Sequence, residues 1–433
     1  YEYFIRHSAG LGKAPTKSDP DIYDHQYSHC DVLVVGGGIS GIISAKLSAE
    51  KGLDTFLIDD KNFLGGSTIY QENEAYKIND IYSNEWLAKE IKSLKNYPNL
   101  IIKNRTSLAA FHGYNYLLAR ENLTDHLSIS DRKNKIRQRL WKIRAKKVII
   151  ASGSIERPLI FSNNDRPGII LSSSIKKYID YYGVKTGENI SLFTNNDSAY
   201  ETAISLNKSG VKVNVIVDIR KNSESLIVKE ALDLGLKVLW ESTVVETQGY
   251  KKIKSFEVMK LSDDGNNVIG NKTKHNCDCL GISGGWTPMV HLFTQSGGKL
   301  KFRNEDNVFI PDQDKTPPNQ ISVGSCNGEF KLDEIVTRTI ENLKSFLDLS
   351  KTCYDEMKIN CPDEKSKRNI WLLPSDKPIG KTKPFLDFQN DSTAKDVKLA
   401  LREGFKSIEH VKRYTTTGMG TDQGKLSNMH ALG

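Results

Sequence analysis

The stretch "CDVLVVGGGISGIISAKLSAEKGLDTFLIDD", residues 30–60, decides the fold. Asp31–Val35 is a short, mostly apolar run of the kind a buried parallel strand shows. Gly36 to Gly41 spells G-x-G-x-x-G, and from Ile42 to Lys51 small and apolar residues recur at helical spacing until Gly52 stops the helix. Thr55–Ile58 reads as a second buried strand ending at Asp59, 21 residues after Gly38. The glycine pattern alone is a weak signal. Its place after a strand and before a helix, with an acid at the next strand end, makes it a dinucleotide-binding unit. Gly36 makes the tight turn, Gly38 lets a pyrophosphate approach the backbone, and Gly41 lets helix and strand pack. The helix N-terminus offers free N–H groups and a positive dipole. Asp59 is placed to accept hydrogen bonds from a ribose diol and leaves no room for a 2′-phosphate, which favours NAD over NADP.

The 433 residues allow two or three domains around a substantial core. With 38% apolar and 26% charged residues the composition is that of a soluble globular protein, and the net charge of +8 permits acidic partners without demanding nucleic acid. No run of about 18 apolar residues reads as a membrane span, and nothing reads as a signal peptide. The chain opens at Tyr1 and stops at Gly433, and both ends read as cut ends within something longer. Six cysteines, at 30, 277, 279, 326, 353 and 361, form no C-x-x-C, and a reducing cytoplasm is the natural setting. "HNCDC" places His275, Cys277 and Cys279 on what reads as one face of a strand. Adjacent strand positions converge poorly on a tetrahedral metal, so an ordinary strand face is the better reading.

Residues 1–30, with Pro15 and Pro20, read as an arm. Between Arg132 and Lys147 lie nine basic residues. A nucleic-acid patch is one reading; a solvated hairpin is the better one, because the charges alternate with Leu140, Ile143 and Val148. The hairpin leads into Ala151-Ser152-Gly153, a small-residue strand end that lets the chain pass close under a bound dinucleotide. "NISLFTNNDSAYETAISLNKSGVKVNVIVDIR" (189–220) repeats strand, turn, helix and strand. Its turn, Thr194-Asn195-Asn196-Asp197-Ser198, lacks the glycines that admit a pyrophosphate, so its own nucleotide site reads as lost or altered. "DCLGISGGWTP" (278–288) returns the chain to the first domain, and "NQISVGSCNG" (319–328) holds the last strand there. The expected division is an arm at 1–30, a first Rossmann domain at 31–170 and 280–345, a second at 171–279, a wrapping linker at 346–384 and a small helical module at 385–433.

In that module Thr393 and Asp396 make a capping box. Val397, Ala400 and Leu401 give a helix face that Gly404 ends, and Ser407 starts a second helix with Ile408, Val411 and Tyr414. "VKRYTTTGMGTDQGKLSN" (411–428) follows, with three glycines and four threonines. It cannot be a core strand or a long helix. It offers hydroxyls, backbone N–H groups and a few cations.

The order of dinucleotide strand, "ASGSIERP", second Rossmann-like unit and "GGWTP" resembles the two-domain flavoprotein disulfide reductases. "AGLGKAP" (9–15), "ERPLIFSNNDRPGIILSSS" (156–174), "FTNNDSAYETA" (193–203) and "DFQNDSTAKDVKLALREGFKSIEHVKRYTTTGMGTDQGK" (387–425) narrow this further. They resemble the alpha subunits of heterotetrameric sarcosine oxidases, over nearly the whole chain. Members of that family also carry an N-terminal ferredoxin-like segment and a C-terminal folate-binding domain, which these residues do not include.

The resemblance implies an α/β fold with two Rossmann-like dinucleotide-binding domains, and a small helical module related to iron–sulfur modules but without their cysteines. It implies NAD in the first domain, FAD in a beta subunit that oxidises sarcosine, and FMN shared between alpha and beta, with electrons passing from FAD to FMN to oxygen. Gamma and delta subunits would complete the assembly, sarcosine and tetrahydrofolate would be handled by the whole complex, and neither nucleic acid nor membrane is a partner. The expected cofactor-binding set is Gly36, Gly38, Ile39, Ser40 and Gly41, then Asp59, Asp60 and Lys61, Gly66 and Ser67, Leu108, Ser152, Gly153 and Gly324. Thr415, Thr416 and Lys425 would serve the FMN phosphate or the beta subunit. Catalytic residues are not assigned, and no metal is expected.

Two departures from related proteins matter. Disulfide reductases end the FAD domain with Gly-Asp; this chain reads Gly324-Ser325-Cys326, so an FAD redox centre has little to hold it. Related iron–sulfur modules place cysteines where this chain has Asp387, Gln389, Asp422 and Ser427, so the cluster should be absent. Two alternatives stay open: a subunit of a related dehydrogenase for proline, opines or dimethylglycine, and a structural subunit that NAD merely stabilises.

Overall fold

The computed structural model describes residues 1–10, 12, 13, 15–70, 75–363 and 368–433. The first sheet has seven strands. Its path runs Leu100–Lys103, Thr55–Ile58, Ile22–Val35, Ile136–Ile150, Tyr116–Asn122, Thr106–His112, and Gln320–Ser322 pairs with the C-terminal end of Ile136–Ile150. The four strands nearest the glycine turn run parallel, as buried strands covered on both faces do. Val32 and Val34 face a cluster that includes Ile42, Ile43 and Leu47 of the helix Ile39–Glu50. Leu33 and Val35 face the opposite cluster, with Phe56, Ile58, Leu117 and Ile143. The alternation follows directly from the period of two along a strand.

The strand that precedes the glycine turn begins at Ile22 rather than at Asp31. Its polar half, Ile22–Cys30, lies parallel to Ile136–Ala145. Asp21 takes ion pairs from Arg132 and Arg137, and Asp24 from Arg139 at 2.8 Å. Charge pairing thus carries an extension that an apolar pattern does not mark. The basic stretch is a hairpin, Tyr116–Asn122 antiparallel to Ile136–Ile150.

The second sheet is fully parallel, in the order Ile169–Leu171, Cys279–Ser283, Ile190–Thr194, Val213–Asp218, Val238–Leu239. Cys279–Ser283 sits inside this sheet, so the chain leaves the second domain only after Ser283, later than the expected boundary at 280. A three-stranded antiparallel sheet, Ser242–Gln248, Ser255–Leu261 and Val268–Asn276, packs on it. His275, Cys277 and Cys279 do not share a strand face. The strand ends at Asn276. His275 stacks on Phe256 with ring centroids 5.5 Å apart, while Cys277 and Cys279 are buried in two different apolar clusters.

The connecting segment after the helix Leu332–Leu347 ties the parts together. Ile359–Asn360 pairs with Lys77–Ile78 of the first domain. Arg368 donates to the carbonyls of Ile219 and Ser262, and Leu373 is buried in the core of the second. In the C-terminal module the capping box of Thr393 and Asp396 is formed, and helices run Ala394–Arg402 and Ile408–Thr415. A third short helix, Asn428–Leu432, was not anticipated; it buries His430 against Trp371. Leu401, Ile408 and Tyr414, apolar positions of these two helices, stand 55%, 40% and 46% exposed.

Candidate functional site

Three chain segments converge on the glycine turn. A Cβ on Gly36 would collide with the Ala151 carbonyl, one on Gly41 with the Gly36 carbonyl, and one on Gly324 with the Ser40 hydroxyl. One on Gly66 would stand 3.1 Å from Gly38 Cα. The turn is therefore closed in by the strand end Ala151–Gly153, by the loop at Gly65–Gly66 and by Gly324. Around Gly38, by contrast, a Cβ would meet nothing within 4 Å. No side chain caps the N-terminus of Ile39–Glu50. The structure thus leaves open space and unspent N–H groups where a pyrophosphate requires both.

Asp59 is 9% exposed and turned onto the glycine turn itself. One carboxylate oxygen accepts the Gly37 N–H at 2.6 Å and the other the Lys61 N–H at 2.8 Å. Burial holds its pKa above the ordinary value, against the pull of those two N–H groups. Asp60 and Lys61 form a surface pair at 2.8 Å, half exposed. The Ile39 side chain belongs to the apolar core. Ser40 accepts from the Thr339 hydroxyl, and the Ser152 hydroxyl donates to the Met289 carbonyl. Leu108 packs with the cluster on the opposite face of the sheet from the glycine helix, so its side chain is not brought to the crevice.

The crevice continues into a cleft of about 260 Å³ between the two Rossmann domains. Ser67 follows Gly66 into it, Ser154 follows Gly153, and Ser325 follows Gly324. Tyr70, Tyr76, Trp286 and Phe330 supply aromatic walls. Glu156 lines it too. It is 2% exposed, and burial pushes its carboxyl up to about 7, against the pull of nearby Ser283 and Ser173. Sequence reasoning did not single out Glu156. The available signal was an acid inside "SGSIERP", at the end of the short strand Ser154–Glu156.

The second domain's turn is filled by its own side chains. Asn196 bonds Ser283 and Ser198, and Asp218, at the strand end where a ribose acceptor would stand, accepts the Tyr200 hydroxyl at 2.7 Å and the Arg220 guanidinium. Arg220 also pairs with Asp197 at 2.7 Å.

In the C-terminal module, oxygen atoms stand at the expected cysteine positions, and three of the four, all but Ser427, take backbone N–H groups. Asp387 accepts from Gly418 at 2.7 Å, Gln389 from Thr421 at 2.7 Å, and Asp422 from Gly424 at 3.1 Å. Thr415 and Thr416 do not present free hydroxyls. Thr415 is buried at a helix C-terminus and donates to the Val411 carbonyl, and Thr416 donates to the Thr415 carbonyl. A helix C-terminus carries the wrong end of the dipole for a phosphate. Lys425 is exposed, and close enough to His291 that, after burial, its charge helps hold that imidazole's pKa down. Among the described residues no group of three or more His, Cys, Asp or Glu is arranged to hold a metal ion, and no helix is long and apolar enough to cross a membrane.

Residues 30–327 match the pyridine nucleotide-disulphide oxidoreductase family, and the chain belongs to it. Residues 381–433 match the sarcosine oxidase A3 domain. The chain is 32% identical over 431 residues to the sarcosine oxidase subunit alpha of Corynebacterium sp. (strain U-96), covering 98% of this chain and 44% of that one. It is 33% identical over 451 residues to the sarcosine oxidase subunit alpha of Rhizobium meliloti, covering 100% of this chain and 42% of that one. The chain thus spans less than half the length of these curated relatives. Among solved structures, L-proline dehydrogenase from P. horikoshii superimposes with a TM-score of 0.65 at 19% identity, over 96% of this chain and 76% of that one, a likeness of fold.

Proposed function

We propose that the chain is the dinucleotide-binding portion of the alpha subunit of a multi-subunit, flavin-dependent sarcosine oxidase, acting in the cytoplasm. The observation that carries this reading is the match, over nearly every residue of the chain, to subunits of that name, joined to an A3 domain at the C-terminus. NAD would bind with its pyrophosphate over Gly38 and the N-terminus of Ile39–Glu50, the open space described above. Asp59 would brace the turn through Gly37 and offer its remaining lone pairs to the ribose. The nicotinamide ring supplies a group able to accept hydride.

Sarcosine oxidation belongs to a beta subunit holding FAD, with FMN between alpha and beta and with gamma and delta completing the complex. The filled turn at Asn195–Ser198 supports a division of labour in which this chain holds one dinucleotide. Lys425, alone among the three residues expected at the FMN phosphate, has a free position at the surface. The proposed domains keep the expected order, with the second domain extended to Ser283.

The test is co-expression with the adjoining beta subunit, then an absorbance spectrum and oxygen uptake with sarcosine, proline and dimethylglycine. Flavin absorbance with uptake driven by sarcosine is the expected result. Uptake driven only by proline or dimethylglycine would move the chain to a related enzyme, and a flavin-free complex without uptake would leave it a structural subunit.

A further inference from the structure

The three segments that close in the glycine turn lead straight into the interdomain cleft. A dinucleotide whose pyrophosphate lies over Gly38 therefore has its far half directed there. The charged groups lining the cleft are Glu156, Arg157, Lys176, Asp197, Glu201, Asp306 and Lys331. Most are committed to each other or to the backbone. Arg157 donates to the carbonyls of Asn307 and Asp306, Lys176 pairs with Asp180, and Asp197 with Arg220. Glu201 accepts the Tyr76 hydroxyl, Asp306 pairs with Arg303, and Lys331 with Asp363. Glu156 differs. One of its oxygens accepts the Ser173 N–H at 2.7 Å, while Oε1 has no hydrogen-bond partner of ordinary geometry among the described residues. A nearly fully buried carboxylate with an unsatisfied oxygen, in the lining of a cleft that Tyr70, Tyr76, Trp286 and Phe330 also line, calls for a cationic, planar partner that carries a donor.

We infer that Glu156 receives the nicotinamide end of the bound dinucleotide and selects its oxidised form. This rests on the NAD reading above. The oxidised ring carries a positive charge and its carboxamide an N–H donor; the reduced ring keeps the donor and loses the charge. A buried carboxylate therefore favours NAD⁺ over NADH, and the site holds the cofactor in the state that cannot deliver hydride. The carboxyl's elevated pKa fits such a role, because an arriving cation completes its ionisation.

The experiment is calorimetric titration of the full chain at about pH 8.5, where the carboxyl is ionised, with NAD⁺, NADH and ADP-ribose, which lacks the nicotinamide. The wild type should bind NAD⁺ more tightly than NADH. Glu156→Gln, which can still accept the Ser173 N–H, should weaken NAD⁺ by about tenfold, the size of one charge-assisted hydrogen bond. It should leave NADH and ADP-ribose within about twofold, since neither carries the ring charge. Glu156→Asp, which keeps the charge, should keep the preference for NAD⁺. Equal wild-type affinities for NAD⁺ and NADH, or a parallel loss of all three ligands in Glu156→Gln, would overturn the inference and leave the NAD reading standing. A wild-type chain that binds none of the three would overturn both.

Discussion

Arg220 closes on Asp218 in a fork: Nη2 lies 2.8 Å from one carboxylate oxygen, Nε 3.1 Å from the other, and the guanidinium is 2% exposed. The pair, extended by Asp197 and the Tyr200 hydroxyl, stands in the second domain where a nucleotide ribose would otherwise be held. Removing the cation would leave two carboxylates without their guanidinium in a low-dielectric interior. Arg220→Met should therefore cost about 3–5 kcal/mol, read as a lower urea midpoint with an unchanged slope. The double variant Arg220→Met with Asp218→Asn should recover part of that loss. An unshifted midpoint in Arg220→Met would show that the pair contributes nothing to the fold.

Gly38 and Gly41 make opposite demands within one turn. A methyl at Gly41 meets the Gly36 carbonyl, whereas one at Gly38 meets open space. Gly41→Ala should therefore lower stability by about 1–3 kcal/mol and abolish dinucleotide binding with it. Gly38→Ala should leave the melting temperature within about 1 °C, as a surface substitution does, yet weaken NAD by about tenfold or more through its approach to the pyrophosphate. Equal NAD affinity in Gly38→Ala and wild type would remove the pyrophosphate from that position.

Glu156 makes stability depend on pH. Its ordinary value of 4.5 rises to about 7 in the fold, mainly through burial. The folded state thus holds a proton that the unfolded state releases. The corresponding stability is fully present below pH 4.5, declines as pH rises, and is lost above about pH 7. Relative to wild type, Glu156→Gln should be more stable at about pH 8 by on the order of 3 kcal/mol and nearly equal at about pH 4. Thermal melts of both proteins across that range check it, and parallel curves would show that the carboxyl titrates normally.

The glycine loops of the C-terminal module are held by oxygen acceptors. Burial raises the Asp387 carboxyl, but the N–H groups of Gly418, Asn390 and Gln389 outweigh it and keep its pKa below the ordinary value. Its contribution is present above the unfolded value and is lost as pH falls through the depressed folded one. Asp387→Ala should destabilise the module by about 1–3 kcal/mol, leaving the Gly418 N–H unsatisfied, and should open residues 415–427 to amide exchange. Anaerobically purified protein should contain no stoichiometric iron, since thiolates are absent from the four positions.

Much of this architecture was legible because its signals are local. The apolar run, the glycine turn and the acid at Asp59 lie within residues 31–59, and the capping box at Thr393 spans four residues. What stayed hidden depends on partners distant in sequence. The polar strand Ile22–Cys30 is a strand through its pairing with the distant Ile136–Ala145, flanked by the ion pairs of Arg137 with Asp21 and Arg139 with Asp24. Cys279–Ser283 looks like any buried strand, and only pairing with Ile169–Leu171 and Ile190–Thr194 assigns it to the second sheet. Thr415 and Thr416 advertise hydroxyls that local backbone carbonyls consume, a competition common for threonine at helix ends. The cleft beside Glu156 is assembled from both domains, so no contiguous stretch spells it.

Gln320–Ser322 is the last strand to join a sheet whose other six strands all precede residue 151. A ribosome delivers those six first, then the whole second domain, and only afterwards the segment that caps the Val148–Ile150 edge. At elongation rates of about 5–20 residues per second, that edge waits on the order of ten seconds or more unpaired. Throughout this interval the nascent chain displays the apolar strand that will later run beneath the nucleotide. The demand for chaperone protection therefore falls on these six strands during synthesis, before the strand that caps their open edge exists.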